Sequence, residues 1–238
     1  MTMFSTFSGL FSISEVYLYS DFITTALPFN TAKDGTLGDV SATSNSNGNN
    51  TLGKITLTTV IGTSAGVFQY AGIYMAPPQA SLGAALTRDF RLGNGEVEVL
   101  ARVQAVTSSN ATHITTVGIS TGNYSAATVP ATDFVGFFVR GNENVWRYGV
   151  VVNGVENSFL TSFLATNDAA NLQLIVSKDA KKSTFVINGK NVGTIEAQLR
   201  TSAAMIPAIE AKDLTSGGSG ITSVSTIDYM AVRLRTNR

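Results

Sequence analysis

The sequence contains no cysteine, so neither a disulfide nor a thiolate metal site can hold the chain together. It has one histidine, His113, which any Ser-His-Asp triad or histidine-bearing metal site would have to use. Charge is scarce: 16 basic and 16 acidic residues make up 13% of the 238 residues and cancel. Nothing there draws in nucleic acid, and a weakly charged, neutral surface suits a protein that works assembled. No apolar run approaches the ~20 residues of a membrane-spanning helix, so no membrane partner is expected. The first basic residue is Lys33, so the charged start of a secretory signal is missing and synthesis in a host cytoplasm is expected. Sustained helical periodicity is absent as well, apart from short turns expected near Pro78–Leu86 and Glu196–Arg200.

What is present is a period of two. In Glu96–Ala105 the odd positions are Val97, Val99, Ala101, Val103 and Ala105, and the even ones are mostly polar. This is a strand with one buried and one wet face, Glu96 and Glu98 lying on the wet side. Near the C-terminus Asp228, Met230, Val232 and Leu234 share one face. Phe134–Val139 is apolar on both faces, as a doubly covered strand should be. Asn-Gly pairs at Asn47, Asn94, Asn153 and Asn188 supply turn chemistry, and Thr184–Val192 reads as a two-residue hairpin. Further strands are expected at Ile55–Val60, Val67–Met75, His113–Ile119, Trp146–Val152, Leu172–Ser177 and Met205–Ala211. About a dozen such strands fit two packed antiparallel sheets.

Residues 29–238 read as one sandwich domain. Residues 1–28 differ, with Phe4, Phe7, Phe11, Tyr17 and Tyr19 among few charges. Such a segment must be buried, either as the first strand of this sheet or as an arm on a neighbouring subunit.

From Asp133 onward the chain resembles the concanavalin A-like lectin/glucanase superfamily. The carrying residues are Gly136–Gly141, Trp146, Tyr148, Leu172–Val176, the charged turn Lys178–Lys182 and the hairpin Ser183–Gly193. The resemblance implies an all-β, two-sheet antiparallel jelly-roll sandwich. The superfamily includes lectins, glycosidases and viral structural proteins, so it does not fix function. In composition the chain is also similar to structural proteins of tailed-bacteriophage virions. The function expected from the two together is a non-enzymatic virion component: a capsid decoration, head fibre or tail-associated protein. It would oligomerise and partner other virion proteins or copies of itself. A lectin-like module binding cell-surface glycan is the alternative, and a glycoside hydrolase the third reading.

The candidate chemistry is thin. Glu96 and Glu98 sit two apart, but glycosidases of this superfamily use three acids in the pattern E-x-D-x-x-E. Here Leu100 and Ala101 follow instead. His113 is expected to point outward, with Ile114 inward. Trp146 and Tyr148 could stack on a sugar ring, although Val150 and Val152 on the same face argue for core packing. Asp133 and Asn142–Asn144 offer oxygen atoms but no calcium-loop pattern. Asn49, Asn110 and Asn123 open N-x-S/T triplets that chance explains. No catalytic residue, metal or cofactor is expected.

Overall fold

The structure is a computed structural model. It describes residues 15–20, 30–34, 38–42, 55–60, 68–74, 91–106, 113–121, 133–141, 143–165, 168–202, 205–214 and 222–236. They form fifteen strands and no helix. In order these are β1 (Glu15–Ser20), β2 (Asn30–Asp34), β3 (Gly38–Ala42), β4 (Ile55–Val60) and β5 (Phe68–Tyr74). Next come β6 (Gly95–Val106), β7 (His113–Ser120), β8 (Phe134–Arg140), β9 (Val145–Val152) and β10 (Val155–Leu164). The last are β11 (Ala170–Val176), β12 (Lys182–Ile187), β13 (Lys190–Glu196), β14 (Ile206–Leu214) and β15 (Thr222–Thr236).

Two antiparallel sheets result. The first runs β13-β12-β11-β6-β15-β4-β3, with β1 also paired to β15. The second runs β10-β9-β8-β7-β14-β5-β2. Alternation explains their packing: the odd residues of β6 and Met230 and Val232 of β15 face inward from the first sheet. They meet Val117, Ile119, Val135, Phe137, Val139, Val150 and Ile209 from the second. Phe137 and Phe185 touch edge to face across the interior, with ring centroids 5.6 Å apart.

The two Asn-Gly hairpins have the expected backbone. Asn153 and Gly154 sit at φ 52° and 78°, and Asn188 and Gly189 at 50° and 79°, as a type I′ turn requires. The charged turn Lys178–Lys182 links β11 to β12, with Ala180 at φ 57° and buried. There the Ser177 hydroxyl donates to the exposed Asp179 carboxylate at 2.7 Å and holds its pKa below the usual carboxylate value.

Several expectations need correction. Asp228 does not share the inner face with Met230, because β15 bulges between Ile227 and Tyr229. The extra residue swings outward to Arg102, at 3.4 Å. Residues 196–200, expected as a helical turn, continue β13 and then run irregularly. Pro78–Leu86, the Asn47-Gly48 turn and the three N-x-S/T asparagines lie outside the described residues. Phe4, Phe7 and Phe11 lie outside them as well. Tyr17 and Tyr19 fall on β1, in backbone register with Arg233 and Ala231 of β15.

Glu98 is not on a wet face: it is 4% exposed. Gln173 Nε2 donates to its Oε1 at 2.6 Å, and the Arg233 guanidinium bridges its other oxygen. Glu98→Ala would strip a buried acceptor from both partners. A loss of about 1–3 kcal/mol is expected by urea denaturation. A change below ~0.5 kcal/mol would restore the solvated-face reading.

His113 points inward, contrary to expectation, and is 1% exposed. Its Nε2 lies 3.0 Å from Thr115 Oγ1, which lies 2.8 Å from Ser225 Oγ on the facing sheet. This buried polar chain lets a hydrophilic face enter the core without stranding its donors and acceptors. Ile114 points the other way, into a small outer cluster with Phe134, Phe138 and Val151.

Candidate active site

Among the described residues, the outer face of the second sheet carries a group of ionisable and hydroxyl side chains that lies largely out of solvent. On β14, Ile209 and Ala211 face the core, so Glu210 and Lys212 face outward. They are nevertheless buried, at 1% and 3% exposure, and Lys212 Nζ lies 2.7 Å from Glu210 Oε2. The Thr116 hydroxyl, on the neighbouring β7, donates to the same oxygen at 3.4 Å. Among the described residues Glu210 Oε1 has no hydrogen-bond partner. A buried carboxylate oxygen left open in this way is costly unless something else uses it.

Register extends this group across the sheet. Glu210, Thr116, Phe138 and Arg147 stand side by side on β14, β7, β8 and β9. Three strand spacings separate the ends of that row, about 14 Å. The next row is Ala208, Gly118, Gly136 and Gly149, all small. Arg147 is held by Glu143, with Nε and Nη2 donating to the two carboxylate oxygens at 2.6 and 2.7 Å. That bidentate pairing raises the guanidinium pKa, against the opposing effect of burial. Beside it, Arg140 binds Glu156 at 2.6 Å and lies 5.1 Å above the Phe138 ring. Ser158 links the two pairs, donating to Glu156 at 2.5 Å and lying 3.5 Å from Arg147.

The residues singled out from the sequence lie elsewhere. Trp146 is fully buried in the core, with no free face for a sugar. Tyr148 is half-buried and stacks on Phe159 at 5.4 Å and against Phe185 at 4.9 Å. Glu96 is on the outer face of the first sheet, bonded to Arg235 at 2.8 Å. Asp133 accepts from Arg200 at 3.0 Å and from the Asn153 backbone N–H at 3.0 Å, while Glu143 serves Arg147, so the two do not share a site. Among the described residues no cluster of three or more His, Asp or Glu could hold a metal ion.

Glu210, Lys212 and Thr116 escape a reading of the sequence because a strand alternating Ile209-Glu210-Ala211-Lys212 reads as half solvated. The available signal is the opposite charge two residues apart, which puts both side chains on one face.

No protein-family model matches the chain, and no curated protein does. Solved structures do. A protein of unknown function from Shewanella oneidensis MR-1 superposes with a TM-score of 0.60 at 17% identity, covering 98% of this chain and 93% of that one. A Bacillus licheniformis β-glucanase gives 0.57 at 14% identity, over 93% and 98%. The fold is a concanavalin A-like jelly-roll sandwich. An alginate lyase of polysaccharide lyase family 7 gives 0.53 at 12% identity, over 78% and 81%.

These likenesses correct the expectation of a non-enzymatic virion component. The glucanase and the polysaccharide lyase just described are both enzymes, and neither is a particle protein. At such identities the likeness itself fixes only the fold.

Proposed function

We propose that the chain is a carbohydrate-active enzyme that cleaves a polysaccharide on the outer face of its second sheet. The observation carrying this reading is the buried Glu210–Lys212–Thr116 group with one carboxylate oxygen unpartnered. It stands in a sandwich shaped like glucanases and an alginate lyase. Proton transfer at a glycosidic oxygen or a sugar carbon needs one positioned group with a free lone pair. Glu210 Oε1 has that lone pair, and Lys212 and Thr116 hold the other oxygen in place; with Glu210 1% exposed, the reaction requires this face to open to the polysaccharide. Arg147, in the same row about 14 Å away, gives an extended substrate a second point of attachment crossing the strands. No strand of the sequence carries the E-x-D-x-x-E run, so the reaction is assigned to Glu210 and not to a three-acid strand.

The test is a panel of neutral β-glucans and uronate polymers. Released reducing ends mark hydrolysis, and ultraviolet-absorbing unsaturated ends mark elimination. The wild type is expected to release one of these products. Glu210→Gln, folded by circular dichroism, should be at least ~100-fold slower, the usual scale for removing an acid–base group. A wild type inert on every polymer, or a Glu210→Gln variant as fast as wild type, would overturn the proposal.

A further inference from the structure

Among the described residues the exposed large apolar side chains gather on one strand. Val155 is 72% exposed, Phe159 46%, Leu160 55% and Leu164 49%, and all belong to β10. β10 is also the last strand of the second sheet on that side, with β9 as its neighbour. Edge strands are normally blunted by lysine, proline or an inward charge. β10 reads Val-Glu-Asn-Ser-Phe-Leu-Thr-Ser-Phe-Leu, with no lysine and no proline. Its single charge, Glu156, is neutralised by Arg140 and bonded by Ser158. A strand so prepared is open to pairing, and its own sequence fits the role of partner.

We infer that a second copy of this chain docks here, β10 against β10 antiparallel, continuing the second sheet across a two-fold axis. Such an axis, normal to the sheet, keeps inner side chains opposite inner side chains only if it passes through a residue. The regular part of β10 is Val155–Leu160, which pairs residue for residue with β9 before the register slips ahead of Leu164. Within that stretch an axis through Asn157 sets Val155 of one copy opposite Phe159 of the other, twice over. On the opposite face it sets Glu156 against Ser158, so the two carboxylates never oppose each other. Asn157, exposed, meets its own counterpart.

The absence of native cysteine makes this register directly testable. Directly opposed residues of an antiparallel pair have Cα atoms ~4.5–5.5 Å apart, within the span of a disulfide. Four results are expected together. The wild type should sediment as a dimer. Asn157→Cys should oxidise to a covalent dimer under mild conditions. Asn157→Lys, which opposes two ammonium groups at the centre, should sediment as a folded monomer. Mixing Asn157→Lys with Asn157→Asp should restore the dimer. A monomeric wild type at micromolar concentration would overturn the proposal. So would a dimer that Asn157→Lys leaves intact and Asn157→Cys does not lock. β10 lies four strands from β14, so these outcomes are independent of those at Glu210.

Discussion

Gly118→Val is expected to unfold the protein or to lower its stability by at least ~3 kcal/mol, at the upper end of overpacking effects. Gly118 on β7 faces Gly136 on β8. A Cβ on Gly118 would fall on the Val135 carbonyl oxygen and 2.8 Å from Gly136 Cα. A Cβ on Gly136 would in turn fall on the Val117 carbonyl oxygen and 2.7 Å from Gly118 Cα. The obstacle in each case is backbone, which cannot rotate away as a side chain could. β7 and β8 are central and buried on both faces, so the sheet has no room to bow. Thermal melts of Gly118→Ala and Gly118→Val would check this. A valine variant melting within a few degrees of wild type would show that β7 and β8 do not approach so closely.

The second large effect is expected at Lys212. Lys212→Met removes the ammonium 2.7 Å from Glu210 and leaves a carboxylate at 1% exposure without its counter-charge. Breaking a buried pair from one side typically costs about 3–5 kcal/mol. The double variant Glu210→Leu/Lys212→Met, which removes both charges together, should recover most of that loss. The cycle is measured by urea denaturation. Additive single and double losses would mean that the two groups do not form a coupled buried pair.

The fold is legible in the sequence where alternation and turn chemistry agree. In β6 five inward positions in a row are apolar, and Asn153-Gly154 and Asn188-Gly189 turn where they should. β10 is illegible for a physical reason: it exposes Val155, Phe159, Leu160 and Leu164, so its apolar residues do not mark a buried face. β2 and β3 are short and mostly polar, with no run of alternating apolar residues to read. The orientation of His113 is misread when Ile114 is weighed above the longer inward series that ends in Val117 and Ile119. The candidate site is hidden by a related limit. Period two assigns side chains to opposite faces, but it does not say whether the second face is wet. On β14 and at Glu98 of β6 it is not, and charges that read as solvated are buried. Function is harder still, because one jelly-roll pattern serves glucanases, lectins and particle proteins alike.

The place of β15 bears on how the chain comes to be folded. One side of β15 pairs with β6 along nearly its whole length. The other side is shared end to end: β4 takes Thr222–Ile227, and β1 takes Met230–Arg235. The strand that joins β6 to β4 and β1 is therefore the last of the fifteen to be made, and Glu15 waits 220 residues (235 − 15) for Arg235. Until β15 leaves the ribosome, the β13-β12-β11-β6 and β4-β3 portions of the first sheet have no strand to join them. Closing contacts of such sequence separation is slow, and the unpaired strands stand open to other chains meanwhile. Translation must pass residue 236 before the first sheet can close and the sandwich can begin to be stable.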